Sequence, residues 1–198
     1  MGTGRLEAFS DGVLAIIITI MVLDLHVPDG DAGFGALHPI WPKFVSYVLS
    51  FIYLGIYWNN HHHLLHVTRR VSGAVLWANL HLLFWLSLVP FVTSWVGENH
   101  FASAPMALYG FVFLMAAIAY YVLQLALLTV EGPQSALASA LGTDVKGKLS
   151  PLLYLVAIPM AFVVPAISGL LYVAVALIWL VPDTRMERAM AARREPSS

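Results

Sequence analysis

Cysteine is absent from the 198 residues, and charge is scarce. Without cysteine there is no disulfide, no thiolate metal site and no cysteine nucleophile, and the redox compartment stays open. Asp, Glu, Lys and Arg make up 11% of the chain, under half of the ~25% usual in soluble domains. With 60% hydrophobic residues, the expected solvent is a bilayer. Ten Lys and Arg stand against eleven Asp and Glu, so the total charge calls for no polyanion. The basic residues are scattered over loops and leave no nucleic-acid footprint. Also missing are a serine-nucleophile motif inside a span, a phosphate-binding glycine loop and an internal repeat. No enzyme is expected.

What the chain does have is long apolar runs. A span needs about 20 apolar residues. The runs predict helices at about 6–25, 43–65, 73–95 and 105–129. The last apolar block, Leu149 to Val181, holds 33 residues and contains Pro159, Pro165 and Gly169. As one helix it would be about 50 Å long at 1.5 Å per residue, far beyond a ~30 Å hydrocarbon core. It is therefore split at Pro165–Ser168 into helices at about 149–165 and 167–182. The expected fold is all-α, a single polytopic domain over 1–198 with six transmembrane helices. The first run is not expected to be a cleaved signal, because Asp11 interrupts it and "LDLHVPDG" offers no small-residue cleavage site.

Charge placement supports six spans with both termini cytoplasmic. That arrangement puts Arg5, Arg69, Arg70, Lys146, Lys148, Arg185, Arg188, Arg193 and Arg194 inside and only Lys43 outside, as the positive-inside rule asks. Asp24, Asp29, Asp31 and Glu98 then form a mildly acidic outer face. The tail is expected to be an amphipathic helix on the inner leaflet. Pro90, Pro159 and Pro165 are expected to kink helices, and Gly12 to admit a neighbouring backbone.

The polar residues within spans each need an account, because ionisable groups there are costly. In the first helix, Phe9, Val13, Ile16, Ile20 and Leu23 form one apolar stripe at helical spacing, with Thr19 on its shoulder. Ser10 and Asp11 point away from it. The second helix runs back, so "YWNNHHHLLH" lies at the same level as Asp11. Trp58, His61 and His62 are spaced to share a face, and Asn79 of the third helix starts nearby. Trp58, His61, His62 and Asn79 are thus the candidate donors to Asp11. A packing network that hides a carboxylate is the first reading; a proton relay through Asp11, His61 and His62, in a proton-coupled transporter, is the alternative. Adjacent histidines project about 100° apart on a helix, so His61, His62 and His63 do not converge on one ion. His62 and His66 have metal-ligand spacing, but no metal site is expected.

These residues carry a resemblance. Arg5, Phe9, Ser10 and Asp11 give R-x-x-x-F-S-D, followed by "GVLAIIITIMVLDL". With "YWNNHH" at 57–62 and "ANLHLLFWLSLVPF" at 78–91, the chain resembles the transmembrane protein 175 family of endosomal and lysosomal potassium channels with bacterial relatives. The resemblance spans essentially the whole chain. It implies a bacterial-type subunit with one six-helix unit, a homotetramer in the cell membrane, and helix 1 lining a central pore for potassium. No cofactor is implied beyond the permeant potassium ions, and no partner beyond lipid and further copies of the chain. By motif position the apolar constriction is Ile16, with Ile20 and Leu23 further out, and Thr19 matches a hydroxyl layer linked to selectivity. Asp24 falls at the outer mouth. Ala15 stands where some members carry Ser. The chain has no T-V-G-Y-G filter, so selectivity is expected to arise otherwise than in loop-based channels. The implied function is passive, leak-type potassium conduction. His63 and His66 match no family role.

Overall fold

In a computed structural model, the described residues, 3–27, 33–135, 137–138 and 145–180, are almost entirely helical. α1 is Thr3–Leu23, and a short 3₁₀ segment, Phe34–Ile40, leads into α2, Trp41–His66. α3 is Gly73–Ser87, α4 Val89–Glu98 and α5 Ser103–Glu131. The last two are α6, Val145–Val163, and α7, Pro165–Leu180. Asp29, Asp31, Val181, the four tail arginines and the expected tail helix lie outside the described residues.

Among the described residues five stretches are long and apolar enough to cross a membrane, α3 and α4 counting together as Gly73–Glu98. α7 is apolar but shorter. These fit six spans, with two refinements at proline. The third expected helix is broken: Leu88 ends α3, and Pro90 stands in the first turn of α4, where its missing N–H costs nothing. Pro165 likewise begins α7 rather than bending a longer helix. The chain turns at Val164, whose N–H still reaches Met160 O at 2.8 Å. Ser168, expected at the end of that connection, is helical.

α1 packs on α2, α3 and α4, and α5 packs on α3, α4, α6 and α7. The core between α2, α5, α6 and α7 is aromatic, with Tyr53 stacked on Phe113 at 4.3 Å. Two of its hydroxyls bond between helices: Tyr53 donates to Tyr172 O at 2.6 Å, and Tyr172 donates to Met106 O at 2.9 Å. Ser50 is 2.7 Å from Thr93 and 3.1 Å from Tyr109. In lipid, where apolar surface gives helices little reason to associate, such bonds and close packing hold the bundle. Gly97 shows how close: a Cβ there would lie 2.7 Å from Lys43 Cα, so only glycine lets α4 lie on the start of α2. Lys43 and Glu98 close the same end with a 3.0 Å ion pair. At the other end Glu131 accepts the backbone N–H groups of Arg69 and Arg70 at 2.6 and 2.9 Å.

Candidate functional site

α1 has two faces, and its sequence sets them. Leu6, Ser10, Leu14, Ile17 and Met21 are buried against the rest of the chain. These steps of three and four residues keep one side of a 3.6-residue helix turned inward. The opposite side is bare: Phe9, Ile16, Ile20 and Leu23 are exposed, Ile16 by 60% and Leu23 by 73%. Thr19 lies on this side too, its hydroxyl donating to Ala15 O and Ile16 O at 3.0 Å. That spends the proton and leaves oxygen lone pairs facing outward. Gly12 is exposed, and no atom of the chain lies within 4 Å of where its Cβ would be. The backbone approach expected there is absent among the described residues. Asp24, just beyond the helix, is half-buried, and its carbonyl is 3.1 Å from His26 Nδ1.

The inward side begins with a buried polar chain. Ser10 donates to Leu6 O at 2.8 Å. Asn79 Nδ2 donates to Ser10 Oγ at 3.0 Å, and Asn79 Oδ1 faces His61 Nε2 at 2.7 Å. Because Asn79 offers its carbonyl, His61 must carry its proton on Nε2. All three side chains are buried. Three helices are thereby joined at one depth.

Beside it runs a more exposed ladder between α1 and α2. Trp58 Nε1 donates to Asp11 Oδ1 at 3.0 Å, and His62 Nδ1 sits 2.8 Å from Glu7 Oε1. Of the donors expected for Asp11, only Trp58 reaches it; His61 and Asn79 pair with each other and Ser10, and His62 turns to Glu7. Asp11, His61 and His62 therefore do not form one continuous chain. Trp58 is exposed while His61 is buried, so the two do not share a face. Arg5 is exposed and takes no part.

Glu7 is the member that motif reading passes over. Its signal is geometric: Glu7 and Asp11 are four apart on α1, as are Trp58 and His62 on α2. Two antiparallel helices with such pairs make two rungs, and the depths match only as Glu7–His62 and Asp11–Trp58. His66 stacks on His62 at 6.0 Å, yet no group of three or more metal-binding side chains occurs among the described residues.

Comparison with known proteins decides the family. Residues 5–90 match the model of the endosomal/lysosomal potassium channel TMEM175. A potassium channel of Chryseobacterium sp. (strain P1-3) is 53% identical over 96% of this chain and 98% of its own. The chain belongs to the TMEM175 family. Another relative, a potassium channel of Streptomyces collinus, is 38% identical over 61% of this chain and 62% of its own. The crystal structure of a lysosomal potassium-selective channel TMEM175 homolog from Chamaesiphon minutus superposes with a TM-score of 0.80 at 28% identity. It covers 91% of this chain and 97% of that one. TMEM175 proteins are ion channels, not enzymes. The segment matched to the TMEM175 model contains both faces of α1 and every residue of the polar network.

Proposed function

We propose that the protein is a passive, potassium-selective channel of the bacterial cell membrane, formed by four copies with α1 of each lining a central pore. Both termini are cytoplasmic in this reading. The observation that carries it is the bare side of α1. A helix held on its inner side by three neighbours presents Ile16, Thr19, Ile20 and Leu23 outward in a continuous line. Potassium channels among the relatives supply the ion.

In this arrangement four Ile16 side chains form an apolar collar, with Ile20 and Leu23 further out. A cation must shed water to pass, or the collar must widen; apolar constrictions gate by dewetting. Thr19, its proton already spent on the backbone, offers oxygen to a partly dehydrated ion. Small rotations of α1 move Ile16 aside and bring Thr19 to the axis. Asp24 raises cation concentration at the outer mouth. Ser10 and Asp11, with Trp58, His61, His62 and Asn79, hold the inner end of α1 so that its other face stays on the axis. No resident cofactor is required.

Reconstitution into liposomes tests the reading. Potassium efflux down its gradient should exceed sodium efflux under the same gradient, with no pH difference imposed. Flux that starts only when a proton gradient is applied would overturn it, and would favour a proton-coupled transporter.

A further inference from the structure

A cavity of about 40 Å³ lies between α2, α5, α6 and α7, with no α1 residue in its wall. The wall is mostly apolar, but Tyr57, Gln124 and Ser150 bring polar groups to it. Ser150 is satisfied: it donates to Lys146 O at 2.9 Å and accepts from Trp179 Nε1 at 2.7 Å. Gln124 is not. It is 6% exposed, and nothing among the described residues hydrogen-bonds its carboxamide; the same holds for the Tyr57 hydroxyl. Polar groups turned into a protein interior are nearly always bonded, to protein or to a small guest such as water. Glutamine in the middle of an apolar helix, facing a cavity, therefore calls for a guest.

The wall restricts that guest. Among the described residues no charged side chain lines the cavity, so an ion would enter without a counter-charge at heavy desolvation cost. The volume is far below the roughly 150 Å³ of a cavity that takes up benzene, so a ring is too large. A hydroxyl and the first carbons of a linear chain fit. Tyr121 also lines the cavity and is half exposed, so the chain's remainder leaves beside it at the bundle surface. We infer that this cavity binds the hydroxyl end of an uncharged linear amphipath, with Gln124 and Tyr57 as its hydrogen-bond partners. The source is either a free alkanol or the glycerol end of a membrane monoacylglycerol.

Photolabelling of the purified full chain with a diazirine-bearing octanol tests this by binding alone, so the outcome of any flux assay leaves it untouched. Labelling should saturate and map to peptides containing Tyr121–Gln124 or the facing segment of α6. Excess 1-octanol should compete in either case, and monoolein should compete as well if the lipid is the source. Gln124→Leu keeps the volume and suits an apolar helix; Tyr57→Phe removes one oxygen. Each should weaken saturable labelling at least tenfold. Labelling that never saturates, or that is unchanged in both variants, would overturn the proposal and leave water as the occupant.

Discussion

Asn79 spends both ends of its amide on its neighbours, which makes it the residue whose loss should be felt most. Asn79→Leu strands the His61 Nε2 proton and uncouples Ser10 from α3. At about 1–3 kcal/mol for a buried group left unmet, the variant should unfold at a clearly lower temperature in detergent. Unchanged melting would mean the chain of bonds contributes nothing to stability. Asp11 is only half-buried and has one partner, Trp58. Asp11→Ala should lower the yield of assembled protein while leaving the potassium-to-sodium preference of what does assemble intact. An intact assembly with altered preference, read by size-exclusion and liposome flux, would move Asp11 into the pore. Ile16→Ala should act in the opposite manner, with normal assembly, larger conductance and weaker discrimination against sodium.

At the scale of the element, α1 was the most legible part of the sequence. Its apolar stripe follows from 3.6-residue spacing, and the bare side contains Phe9, Ile16, Ile20 and Leu23; Val13, expected on the same stripe, is instead partly buried against the core. The polar partners were legible in type and depth but not in pairing. Spacing shows that Trp58, His61, His62 and Asn79 come near Asp11; only relative helix rotation decides that Asn79 takes His61 and Glu7 takes His62. The breaks at Leu88 and Val164 were foreshadowed by Pro90 and Pro165. Whether a proline bends a helix or starts a new one depends on the neighbours, which no single segment records. Gly97 was silent in the sequence, since its need arises from Lys43, more than fifty residues earlier. Gly97→Val should push α4 off α2 and destabilise by about 1–3 kcal/mol, the usual cost of overpacking. Gly55→Ala, inside α2 where no atom lies within 4 Å, should leave the fold intact and raise the melting temperature slightly in the same experiment, because alanine favours a helix interior over glycine.

At the scale of the whole molecule, one copy leaves an unpaired apolar face on α1 and a polar network behind it. That division gives a pore helix its requirements: a fixed back and a free front. Four-fold closure would bring the front faces together around one axis, while the aromatic core of α2, α5, α6 and α7 stays within each subunit. The absence of cysteine makes the central claim directly testable. Single cysteines placed at Thr19, at Ile17 and at Leu177 sample the bare side of α1, its buried side and the exposed side of α7. Potassium flux through each variant is measured in liposomes before and after adding a thiol-reactive cation small enough to follow potassium, such as silver. Flux through Thr19→Cys should be blocked, with Ile17→Cys and Leu177→Cys unaffected. Free flux through modified Thr19→Cys, or block through Leu177→Cys instead, would contradict it and place the pathway elsewhere in the bundle.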